Sequence, residues 1–211
     1  MSQLARENIL NKIKQALKKE VPVPFVARNN NEFIYQSSTK ELEIEFAENF
    51  TKLQGKFSFC SNKKELVEQL NILLESKNWD KVVCNETQLQ QQLTANHFNK
   101  IDNSISLANC DVAITTCEKL VARTGSLLLA NANESGRTYS VYAPIHICIA
   151  YTNQLVYDIA DALAAIKNKY GNNLPSVISL ATGPSRTADI EKTLVVGVHG
   201  PKEVYCFLVD E

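Results

Sequence analysis

The chain has 211 residues, 45% of them hydrophobic and 21% charged, with 22 Lys plus Arg against 23 Asp plus Glu and a net charge of −1. That length suits one domain, or one domain with an attached arm, and a chain of this size buries about 70% of the surface its unfolded form exposes, so its core needs no disulfide or structural metal. The balanced charge supplies no overall field to gather nucleic acid or an acidic membrane, which argues against both as partners.

The N-terminus, MSQLARENILNKIKQALKKE, interrupts its apolar residues with charge where a signal peptide is continuously apolar. No apolar run approaches the roughly 20 residues needed to cross a bilayer. The expectation is a cytoplasmic protein with no membrane insertion. Within residues 2–20, Leu4, Ile9, Ile13, Ala16 and Leu17 fall near one helical face, predicting an amphipathic helix. VPVPFVARNNN then forbids helix and reads as an extended linker, so residues 1–30 form an arm and residues 31–211 the body.

Ser38-Thr39-Lys40-Glu41 has the spacing of a capping box, followed by a helix carrying Leu42, Phe46, Phe50 and Leu53 and ending near Gly55. FSFC reads as a strand, Asn62 as the cap of a helix carrying Leu66, Leu70, Leu73 and Leu74, and KVVC as another strand, together a β-α-β order. A polar helix over 86–95 follows, then DVAIT, SLLLA, HICIAY, a helix from about 155 to 169, VISLAT and the closing strand VYCFLV. Short apolar runs alternating with helices predict a three-layer α/β fold, its sheet mostly parallel and its helices on both faces.

Six cysteines (Cys60, Cys84, Cys110, Cys117, Cys148 and Cys206) sit mostly inside apolar runs and read as buried free thiols. No C-x-x-C and no Cys/His cluster at ligand spacing occurs, so no metal site is expected on this chain.

Six of the seven glycines lie in the second half, which concentrates demanding loop geometry there. Thr124-Gly125-Ser126, ahead of SLLLA, offers amides and hydroxyls to an anion, or is only a tight turn. ATGPSRTADIE reads as a strand end at Gly183-Pro184 opening a short helix capped by Ser185 or Thr187, with Asp189 and Glu191 in its first turn. There Arg186 is either a carboxylate or phosphate clamp or the ion-pair partner of Asp189. His199, between Gly197 and Gly200, is a candidate general acid or base, or a residue that only hydrogen-bonds a neighbouring loop. His146 reads as a buried, paired imidazole, and Arg137, beside Gly136, as a solvated turn charge or an anion contact. No G-x-S-x-G, G-x-G-x-x-G or Walker A loop is present.

Taken in order, ARTGSLLLA, GRTYSVYAPIHICIAY, GPSRTADIEKTLVVGVHGP and VYCFLVD resemble the lactate-utilisation protein C family, the LUD-domain proteins. The resemblance runs from about Asp111 to Asp210. It implies the fold of the NagB/RpiA/CoA-transferase-like group. It also implies an accessory role in oxidising L-lactate to pyruvate, beside partner proteins that carry the iron–sulfur clusters, so that no cofactor is expected here. The residues carried over are Thr124, Gly125, Ser126, Gly136, Arg137, Gly183, Pro184, Ser185, Arg186, Thr187, Asp189, Glu191, Gly197, His199, Gly200 and Pro201. The resemblance makes them walls of one pocket for a small anion, with Arg186 as clamp and His199 as the group that moves a proton. The family's acidic residue before T-G-T is replaced by Arg123, which removes a carboxylate that CoA-transferase chemistry would need unless Glu118 or Glu134 stands in. Two other readings stay open: a self-sufficient transferase, isomerase or ligase acting on a phosphorylated or CoA-linked metabolite, and a docking module that uses the arm.

Overall fold

A computed structural model describes residues 3–18, 38, 40–190 and 193–210. The chain divides into two units, Met1–Ser37 and Ser38–Glu211, a boundary a little beyond the end of the arm read from composition. The described part of the first unit is helix α1 (Gln3–Leu17), whose Ile9, Ile13 and Leu17 are exposed. The linker prolines lie outside the described residues.

In the second unit α2 (Leu42–Lys52) begins at Glu41, whose side chain makes no capping bond. The capping box expected at Ser38 does not form: the Ser38 hydroxyl accepts from Lys40 N and donates to Lys40 O, spending itself in a local turn. As its spacing predicts, α2 buries Phe46 and Phe50, stacked with ring centroids 5.4 Å apart.

The central sheet holds β1 (Lys56–Cys60), β2 (Val82–Val83), β3 (Val112–Thr116), β6 (Ile145–Tyr151) and β11 (Glu203–Val209) in the order β1-β11-β6-β3-β2, all parallel. Thus β1 and β2, consecutive strands around α3 (Lys63–Lys77), occupy opposite edges rather than adjoining. Alternation sorts the side chains of the middle strands. Ile145, Ile147 and Ile149 of β6 and Tyr205, Phe207 and Val209 of β11 face one way, under Leu66, Leu70 and Leu74 of α3 and Leu89 and Leu93 of α4 (Thr87–Ala95). Asn62 caps α3 as expected, accepting from Lys64 N and Glu65 N at 3.0 Å each.

Cys148, Ala150, Val204, Cys206 and Leu208 face the other way, towards Phe46, Phe50 and a second sheet. That sheet runs β7-β4-β5-β8, from β4 (Lys119–Val121), β5 (Ser126–Ala130), β7 (Leu155–Val156) and β8 (Ile178–Ala181). It is mixed, with β5 antiparallel to both neighbours, and its own alternation sends Val121 and Leu128 outward beneath Ala162 and Ile166 of α6 (Ile159–Tyr170). The architecture is α/β around a mostly parallel sheet, as the pattern predicts; the second sheet was not distinguished in the sequence. Residues 155 and 156, read as helix, are strand β7, and α6 starts only after its cap, Asp158. The segment after Ser185 differs as well. In place of a capped helix, β9 (Arg186–Ile190) pairs antiparallel with β10 (Thr193–Val196), and Arg186 stands opposite Val196. A partner strand seven residues on outweighs the cap-type residues Ser185 and Thr187.

Candidate functional site

The β9–β10 hairpin explains how two separate motifs meet. Its legs return Gly197–Pro201 to Gly183–Ser185, where Ser185 N donates to Pro201 O and Gly197 N to Ser185 O, each at 3.0 Å. Gly200 permits this approach, because a Cβ there would lie 2.8 Å from that of Ser185. The joined loops close one end of a cleft of about 320 Å3 between the two sheets. Its floor is His146 and Val204, at the amino ends of β6 and β11; one wall is β8 with the end of β5; the rim carries Gly136, Arg137 and Ser140, the last on the short helix α5 (Tyr139–Tyr142).

Of the residues singled out in the sequence, the cleft brings together Gly136, Arg137, Gly183, Ser185, His199 and Gly200. His199 is exposed at its margin. The other candidates lie outside its lining. Thr124, Gly125 and Ser126 turn from β4 into β5 and rest on α2. Gly125 has φ +58°, a Cβ there would collide with the backbone of Asn49 and Phe50, and Asn49 Nδ2 donates to Ala122 O and Arg123 O. The two hydroxyls are 2.7 Å apart, and Ser126 Oγ is also 2.8 Å from Thr182 Oγ1. Arg186 is exposed and donates to Leu53 O at the end of α2. Thr187 and Asp189 are on β9 and Gly197 follows β10.

Arg137 is the guanidinium that the cleft does contain. One Nη2 donates to Ser176 Oγ at 3.0 Å, and among the described residues it has no carboxylate partner. Glu134, its acidic neighbour in sequence, turns away to accept from Thr87 N and Thr87 Oγ1 at the start of α4. Arg123, the departure from the family pattern, donates from Nε to Asp158 Oδ2 at 2.6 Å, which holds the Asp158 carboxyl below its ordinary range and fastens the cap of α6.

His146 is 1% exposed, and burial pushes its pKa down to about 4, so the imidazole is neutral. Its Nε2 lies 2.8 Å from Thr115 Oγ1. The pairing matches the sequence reading. The position on the cleft floor is what that reading lacked, along with Asn131, Ser140, Ser179 and Thr182 in the walls.

A second, polar depression lies at the carboxyl ends of β3 and β6, lined by Glu86, Glu118, Glu134, Lys169 and Tyr170. Its acids are engaged. Glu86, 7% exposed, accepts from Thr116 N, Thr116 Oγ1, Asn133 Nδ2 and Ser135 Oγ, while Glu118 accepts from Lys169 Nζ at 2.7 Å and Tyr170 OH at 2.6 Å. All six cysteines are free and buried; burial pushes Cys84 up to about 12, and the hydrogen bond with Cys148 and burial hold Cys117, which lines the depression, well above the ordinary thiol range, so neither offers a thiolate at neutral pH. Among the described residues no group of three His, Cys, Asp or Glu could hold a metal ion, and no helix is long and apolar enough to cross a membrane.

Comparison with known proteins places this architecture. A crystal structure of a DUF162 family protein from Deinococcus radiodurans superposes with a TM-score of 0.59 over 82% of this chain and 99% of that one, at 18% identity, and so shares its fold. The chain is 35% identical over 113 residues to lactate utilization protein C of Bacillus licheniformis, covering 52% of this chain and 47% of that protein. It is 36% identical over 140 residues to lactate utilization protein C of Shouchella clausii, covering 63% and 61%. The match therefore spans about half the length of these curated relatives. The LUD domain profile matches residues 44–209, taking in both sheets and every wall of the cleft, and the chain belongs to the LUD domain family.

Proposed function

We propose that the protein is an accessory component of a cytoplasmic L-lactate-oxidising system, acts beside iron–sulfur partner proteins, and binds a small carboxylate in the cleft between the two sheets. The role in lactate use rests on the similarity to proteins named lactate utilization protein C. The anionic ligand rests on one observation, the Arg137 guanidinium at the cleft rim with no carboxylate partner among the described residues. Its unused N–H groups match the two oxygens of a carboxylate, a fork that a lysine could not supply. Ser140, Ser179 and Ser185 add hydroxyls that can turn to suit either oxygen. The clamp read at Arg186 thereby passes to Arg137, since Arg186 is engaged with the end of α2.

In this reading His199 moves a proton at the cleft margin, and electron transfer belongs to clusters on the partners. Among the described residues the cleft lining holds no Asp or Glu, and Glu118 and Glu134 are both hydrogen-bonded elsewhere, which argues against an acyl-glutamate route at this site. Deleting the gene in its host and growing the strain on L-lactate tests the role. Growth should fail and return with the gene, and tagged protein should retain iron-containing partners. Unimpaired growth overturns the proposal.

A further inference from the structure

The cleft floor carries a group whose chemistry the proposed function does not use. The Thr115 hydroxyl has one proton and donates it to Thr116 O at 3.0 Å. With its proton directed to Thr116 O the hydroxyl accepts from His146, 2.8 Å away, which is the arrangement of the tautomer with its hydrogen on Nε2 and a lone pair on Nδ1. Among the described residues Nδ1 has no hydrogen-bond partner, and among the same residues no side-chain nitrogen or oxygen closed off from solvent lacks one. Nδ1 is therefore reached by solvent, through the cleft that His146 lines. A neutral ring, otherwise buried, presents one acceptor to the ligand space, and a bound molecule that offered no proton would leave it unpaired.

We infer that His146 Nδ1 accepts a hydrogen bond from the hydroxyl of a small 2-hydroxycarboxylate held by Arg137, so that the cleft selects the hydroxy acid over the corresponding 2-oxo acid. This rests on the carboxylate reading of the cleft and deepens it. The two acids carry the same charge and nearly the same shape, and they differ at one oxygen. The hydroxyl donates to Nδ1, whereas the oxo group sets its own lone pairs against that of the ring and leaves a desolvated acceptor unsatisfied. Thr115 acts as a positioning residue, because it fixes the tautomer without touching the ligand. With the opposite tautomer Nδ1–H would be a donor, and the preference would reverse.

Calorimetric titration of the full chain with L-lactate and with pyruvate reads the preference directly. Wild type should bind L-lactate about tenfold more tightly or better. Thr115→Val should lose most of that preference with little change in pyruvate affinity, and Thr115→Ser should keep it. Equal affinities for the two acids, or tighter binding of pyruvate, overturn the inference and leave the carboxylate site standing; binding of neither overturns both. Imidazole nitrogen NMR of the unmodified protein at pH 7 supplies a check that needs no variant. Protonated Nε2 and bare Nδ1 are expected at His146, and the reverse pattern overturns the assignment.

Discussion

Two buried polar residues, His146 and Glu86, stand at opposite ends of the central sheet and divide its labour. Glu86 lies beyond the carboxyl ends of the strands, where open α/β sheets usually bind ligands, and the polar depression around it is the larger of the two. Yet its carboxylate already receives four donors from Thr116, Asn133 and Ser135, which tie β3 to the loop after β5. His146 lies at the amino end of β6 and, among the described residues, keeps one nitrogen without a partner. Size and position would choose the first site; unspent hydrogen-bonding capacity chooses the second. A polar group that protein donors have saturated holds the fold, and one left open at a cavity is available to a ligand.

The contrast can be broken most sharply at Glu86. Glu86→Ala strands several donors and is expected to cost about 4 kcal/mol of stability in urea unfolding, with no change in the ratio of hydroxy-acid to oxo-acid affinity. A change in that ratio would show the two ends of the sheet to be coupled.

Acid should act through the other residue. The pKa of His146 in the folded protein, about 4, lies below the unfolded value of about 6.5, so between these values the unfolded chain takes up a proton that the folded chain refuses. Stability is unaffected above pH 6.5 and falls as pH drops through the window, by about 3 kcal/mol in all. Unfolding curves collected from pH 7 to pH 4 should show that loss in wild type and a shallower one in His146→Gln; identical slopes would mean that the imidazole takes up its proton as readily in the folded protein as in the unfolded chain.

Gly125→Ala probes the turn that left the candidate site. With φ +58° and the backbone of Asn49 and Phe50 behind it, the substitution should cost about 2 kcal/mol while ligand affinity stays as it was. Arg123→Ala should cost about 1 kcal/mol, since its ion pair with Asp158 is partly exposed, and should likewise spare binding. Loss of binding in either variant would return the Thr124–Ser126 loop to the site.

The same division governs how far the sequence could be read. Phe46 and Phe50 at helical spacing and Asn62 ahead of an apolar helix are local signals, and each is met by the structure. The failures sit where a local signal had a distant competitor. Ser185 and Thr187 look like caps until Thr193–Val196 arrives as a strand partner, and Ser38 fits a capping box until Lys40 takes its hydroxyl. SLLLA and VISLAT read as buried strands, but nothing in an apolar run reveals which of two sheets it joins. At the site, the glycine-bounded loops around Gly183 and Gly200 were legible. The sequence reading favours a solvated turn charge at Arg137 and a clamp at Arg186, and only the fold shows that Arg186 meets a carbonyl and Arg137 an open cleft.

The most direct measurement is amide and side-chain NMR of the labelled protein during titration with L-lactate. The account predicts perturbations centred on Arg137, His146, Ser185 and Gly200, with Glu86, Glu118 and Tyr170 unmoved. Perturbations centred on Glu118, Lys169 and Tyr170, with His146 silent, would contradict it and place the ligand at the carboxyl end of the sheet.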